Sequence, residues 1–331
     1  MKRIATLTLV VSLFAAVAAF AADNEGTWTA QLDSKRPDRI YFSVSRKPTH
    51  QMGTTLPLTT FVGLTSAQIS AASTTPVQFE RRAEAGKLAF EGTFRNGKGA
   101  GQFTFTPNPA FIETVRNMGV DVDKRRAKHL GGNNWDQDEQ LFSLAVHDVS
   151  TAYIRSLIAE GYRVSLHEYL EMRIFDVTPE YIREMRSLGF KDISKDELVA
   201  SKIHRVTPKF IRDMRAAGWD LSLDELQSSA IHGATPQFAE EMRKLGYGNL
   251  SHDSLVSFRI HRVTAEFIEE MRKLGYDNLT ANQLVSMRIH RVTPEFIREL
   301  EAAGYVKVPV DKLVSMRIHG IDAKMIKSLR D

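Results

Sequence analysis

The chain has 331 residues, with 44 Lys and Arg against 40 Asp and Glu, 10 His and no Cys. A charge this balanced gives no footing for bulk nucleic-acid binding. The absence of cysteine excludes disulfides, thiolate metal sites and cysteine nucleophiles together, so stability must come from packing, which about 310 residues can supply in two domains.

Residues 1–22 read as a secretory signal peptide. Lys2 and Arg3 open it, an almost unbroken apolar run follows from Leu7 to Phe20, and Ala19-Phe20-Ala21 supplies a small-x-small cleavage site. The run is short for a bilayer span, which needs roughly 20 apolar residues. Cleavage removes Lys2 and Arg3 with no acid, so the net charge falls from +4 to +2. The expected location is the periplasm or the medium.

Residues 23–107 read as a β-rich domain. Arg39 to Val44 is a β-branched and aromatic run, and Val77–Glu80, Leu88–Phe94 and Gln102–Thr106 alternate apolar and polar residues. Between the last two lies Arg95-Asn96-Gly97-Lys98, an Asn-Gly pair suited to the positive φ angles of a type I′ hairpin turn. From Thr54 to Pro76 the composition predicts only loop, short strands or a helical turn.

Residues 108–331 read as an α-solenoid of helix-pair repeats. The string from Val177 to Phe190 returns at Val206, Ala234, Val263 and Val292, a spacing of 28 or 29 residues, with weaker copies near Asn108 and at Val149 and Ile321. Thr178 caps a first helix that opens on Pro179, and Gly189 closes it. Tyr181, Ile182, Met185 and Leu188 share its apolar face. Second helices open on capping boxes at Ser165/Glu168, Ser194/Glu197, Ser222/Glu225 and Thr280/Gln283, and Leu198, Val199 and Ile203 are expected to face the core. An insertion at about 120–140 reads as a loop or docking element and carries Trp135; the half-repeat 321–331 reads as a terminal cap. The fold class is thus α+β, mostly α: a small N-terminal antiparallel β-domain, then the solenoid.

Three residue columns follow the repeat. His147, His204, His232, His261, His290 and His319 align, with Phe175 breaking the series. Equivalent residues on stacked helices lie on the order of 10 Å apart, too far to share one metal. The histidines are expected to be structural, closing each second helix, and no metal or cofactor is expected. Met185, Met214, Met242 and Met271 are expected in the core. Arg186, Arg215, Arg243 and Arg272 form a column that could hold an anionic partner, or pair with acids of the same repeats such as Glu184, Asp213 and Glu270. Further columns run through Arg155, Arg183, Arg212 and Arg298, and through Arg173, Arg259, Arg288 and Arg317. No familiar catalytic motif is present, so no catalytic residue is assigned.

The string that begins at Val177 and Val292, and the hairpin from Phe90 to Pro109 before it, resemble uncharacterised bacterial envelope repeat proteins. They also resemble the extracytoplasmic tails of β-lactam-sensor-type membrane zinc metallopeptidases, whose peptidase part this sequence lacks. The resemblance implies a sensing or docking module with an envelope protein as partner, a membrane metallopeptidase of that type among the candidates. The reading expected overall is a non-catalytic, exported protein-interaction, sensor or scaffold module. Two alternatives stay open. One is binding of wall or surface polysaccharide through the arginine columns and tyrosines such as Tyr247, Tyr276 and Tyr305. The other is a hydrolase with its site at the domain junction, which would need a pocket of strongly perturbed acids.

Overall fold

A computed structural model describes residues 24–47, 50–123, 126–127, 131–132, 136–322 and 325. The signal peptide, Trp135 and all but Ile321, Asp322 and Met325 of the terminal half-repeat lie outside the described residues. The fold class is the predicted one: a six-stranded antiparallel sheet followed by helices. No helix among the described residues is long and apolar enough to cross a membrane.

The strands are β1 (Glu25–Leu32), β2 (Arg39–Lys47), β3 (His50–Pro57), β4 (Thr75–Ala83), β5 (Gly86–Arg95) and β6 (Lys98–Pro107). Their order is β3-β2-β1-β6-β5-β4, two antiparallel meanders joined where β1 pairs with β6. The predicted hairpin is present: Arg95 faces Lys98, and Asn96 and Gly97 take φ of 50° and 79°. The unassigned stretch resolves into β3, a 3-10 turn at Leu58–Thr60 and a short helix α1 (Ser66–Ser70) capped by Thr65 and Gln68. Trp28 organises the core. Its ring stacks on Phe42 at 5.3 Å and meets Phe79 edge-on at 5.4 Å. Its Nε1 donates to the carbonyls of Glu91 and Gln102, both at 3.0 Å. The paired residues Gly92 and Gly101 leave room for the indole; a Cβ on Gly101 would lie 2.8 Å from Nε1 and 1.9 Å from the Glu91 carbonyl.

Fourteen more helices follow in the described chain: α2 (Ala110–Asn117), α3 (Gln137–His147), α4 (Thr151–Ala159), α5 (Leu166–Ile174), α6 (Pro179–Ser187), α7 (Lys195–Ile203), α8 (Pro208–Ala216), α9 (Leu223–His232), α10 (Pro236–Met242), α11 (His252–Ile260), α12 (Ala265–Lys273), α13 (Ala281–Ile289), α14 (Pro294–Ala302) and α15 (Val310–Ile318). All four predicted capping boxes form, and Thr178, Thr207, Thr235, Thr264 and Thr293 cap the first helices.

The chain divides into two compact units after Ile182. The sheet ends at Pro107, and within the first unit α3 packs on it. Phe142 on α3 stacks on Phe103 at 5.6 Å and meets Phe105 at 5.2 Å. Buried Arg81 of β4 donates to the Val146 carbonyl near the end of α3. Asp148, just beyond, lies 3.7 Å from both Arg81 and Arg173. Among the described residues of the insertion, Val120 and Val122 are buried, β7 (Arg126–Ala127) pairs with β8 (Gly131–Gly132), and α3 begins at Gln137.

In the second unit helices stack like on like. Second helices α7, α9, α11, α13 and α15 pack in series, and so do first helices α8 with α10 and α12 with α14. Met185, Met214, Met242 and Met271 are fully buried, as predicted.

Candidate interaction surface

Each second helix of the second unit ends in the same way. The histidine backbone closes it: His204, His261, His290 and His319 are C-caps, and His232 is the last residue of α9. The next residue turns left-handed, at φ of 59°, 57° and 56° for Arg205, Arg262 and Arg291, and 73° and 68° for Gly233 and Gly320. The following amide reaches back five residues, as in Val206 to Ser201, Val263 to Phe258 and Val292 to Met287, each at 2.8 Å. This is the Schellman closure. A left-handed residue that is not glycine costs roughly 1–2 kcal/mol.

The histidines therefore stand at helix ends, but not by the expected bond. Among the described residues the imidazoles of His204, His232, His261, His290 and His319 donate to no helix carbonyl. No three or more potential ligands gather as a metal site there either. An arginine supplies the missing donor instead: Arg288 Nε reaches the His261 carbonyl at 3.4 Å while its guanidinium lies 4.9 Å over Phe267. Arg173 does the same with the His147 carbonyl, at 3.0 Å, and Tyr153, at 5.1 Å. Arg259 and Arg317 lie over Phe238 and Phe296 at 4.8 and 5.0 Å. This column locks repeats together.

The first arginine column is held within the chain. Arg215 bonds Asp220 at 2.8 Å. Arg243 opens a five-residue π-helical turn, Arg243–Tyr247, and binds both oxygens of Glu240 at 2.7 Å. That contact holds the Glu240 carboxyl below the usual carboxylate range. Arg272 donates to the Leu245 carbonyl at 2.6 Å. Arg186 also has an intramolecular partner. In the neighbouring column, Arg212 pairs with Glu184 at 3.0 Å and Arg298 with Glu270 at 3.7 Å, each one repeat back. The Tyr247 and Tyr276 hydroxyls are likewise committed, each donating at 2.8 Å to a carbonyl one repeat on, of Leu279 and Val308. Burial pushes both phenols upward.

Of the three residues expected on the core side of α7, Leu198 and Val199 are buried, but Ile203 is on the surface. Ile203 is 37% exposed, and its equivalents Ile231, Ile260, Ile289 and Ile318 are 55%, 52%, 50% and 57% exposed. The helix stops at this residue, or one residue later in α9, so no further turn covers it. The result is a ladder of isoleucines, one per repeat, each followed by His and then Arg or Gly. Two positions earlier, the buried residue changes from Ser201 and Ser229 to Phe258 and Met287, whereas the exposed one stays isoleucine. That inversion of the usual core-versus-surface variability was the signal available in the sequence.

Comparison with protein-family models, with curated proteins and with solved structures returns no match.

Proposed function

We propose that the chain is an exported, non-catalytic protein-interaction module of the bacterial envelope, with a second protein as its partner. The isoleucine ladder carries this reading. Soluble proteins seldom expose large apolar residues in an organised row unless something covers them, and stacked repeats offer extended surfaces for partners. The charged head of residues 1–22 and its apolar run support export. A membrane metallopeptidase of the sensor type is the candidate partner that the resemblance supplies.

In-cell crosslinking of the tagged chain tests this, with two variants beside it: Ile231, Ile260 and Ile289 changed to Ser, and Arg186, Arg215, Arg243 and Arg272 changed to Glu. The expected result is one specific protein partner, lost with the isoleucine variant. Loss with the arginine variant alone would move the site to that column. Recovery of wall or surface polysaccharide in place of protein would overturn the reading.

A further inference from the structure

The ladder carries charge as well as apolar surface. On the rungs of α7, α11 and α13 the isoleucine is followed by His204-Arg205, His261-Arg262 and His290-Arg291, all three arginines exposed. Among the described residues, none of these three guanidiniums makes a hydrogen bond or an ion pair, in contrast to Arg215, Arg243 and Arg272. Their backbone is left-handed, where the rungs of α9 and α15 have Gly233 and Gly320. Arginine is thus kept at positions that glycine fills without strain, and its guanidinium makes no hydrogen bond or ion pair inside the described chain. The same left-handed position holds Asp148 and Asp176 in the first unit, so the turn itself does not require a cation; on the ladder of the second unit it is an exposed arginine three times, which points to work done with something outside.

We infer that the ladder binds an acidic, apolar segment of the partner protein in the extended left-handed polyproline conformation; this rests on the interaction reading above. Charge selects the occupant. Apposing two copies of the ladder would bring like charges together, whereas an acidic segment neutralises them. Spacing selects the conformation. Packed helices lie about 8–10 Å apart, and a polyproline helix, at about 3.1 Å per residue and three residues per turn, repeats every ~9 Å. Each third residue then meets the next rung from the same side. A β-strand of the same rise turns every third side chain to alternate faces.

The probe is a labelled peptide of about fifteen residues repeating Pro-Ile-Glu, long enough to follow the rungs, titrated into the full chain by fluorescence anisotropy. Controls carry Lys for Glu, or the same composition in an order that breaks the three-residue spacing of the acids. The expected result is saturable binding of the Glu triplet peptide alone, weakened by salt. Arg205→Gly, Arg262→Gly and Arg291→Gly together should weaken it at least ~10-fold, or ~1.4 kcal/mol, with the helical circular dichroism unchanged. Equal binding of the Lys peptide or the reordered peptide, indifference to the arginine changes, or no binding would overturn the inference. So would capture of anionic phospholipid vesicles with no peptide binding. If the peptide fails while cells still yield a protein partner that the isoleucine variant loses, only this inference falls. If neither binding is seen, the interaction reading falls with it.

Discussion

At the scale of single residues, left-handed positions separate backbone need from side-chain use. Gly218 ends α8 at φ 93° with nothing within 4 Å of the Cβ it lacks, so its need is purely conformational. Gly218→Ala should cost roughly 1–2 kcal/mol in urea unfolding. Arg262→Gly relieves the same strain, set against the greater freedom of glycine in the unfolded chain, and should be neutral or stabilising by up to about 1 kcal/mol. Gly218→Ala should therefore destabilise the chain, and Arg262→Gly should not. His147 gives a pH signature. Burial, with help from Arg81 and Arg173, pushes its pKa from 6.5 down to about 4. The unfolded chain therefore takes up the proton first. Stability from this group is complete above pH 6.5 and is lost as pH falls to about 4, flattening below. His147→Phe, copying Phe175 one repeat on, should remove that part of the acid slope in a pH series of unfolding curves.

At the scale of elements, local signals were legible wherever one residue decides one bond. Thr-Pro starts, capping boxes, the Asn-Gly hairpin and the glycine stops all stand where the sequence placed them, because each is set by φ or by a side chain three residues away. What was not legible depends on partners 20 or more residues distant. Arg288 and Arg243 look alike in sequence, yet one is wedged between Phe267 and the His261 carbonyl and the other pairs with Glu240 on its own turn. The contrast is testable. Arg288→Ala should destabilise the second unit by about 1–2 kcal/mol through the lost ring contact and the uncapped carbonyl, and Arg288→Lys should restore little of it. Arg243→Ala removes an exposed, solvent-screened pair and should leave the unfolding midpoint unchanged.

At the scale of the whole molecule, the repeat period revealed the architecture but not the surface. Helical periodicity places Ile203 beside Val199 on the apolar side, and only the end of the helix, together with the stacking of α7 on α9, decides which of the two is covered. The seat of α3 on the sheet was hidden for a similar reason: Phe142 and Arg81 join the two across long sequence separations. An exposed ladder should be nearly silent in folding. Changing Ile231, Ile260 and Ile289 to Ser should leave the unfolding midpoint within a few degrees of wild type.

Site-specific photocrosslinking in cells, with the photoreactive residue placed in turn at positions 231, 260 and 289 and, as a control, at exposed position 209 on a first helix, tests the central claim most directly. The account predicts one discrete protein adduct of the same mass from the three ladder positions and none from position 209. Adducts from position 209 alone, or uncrosslinked chain from every position, would contradict it.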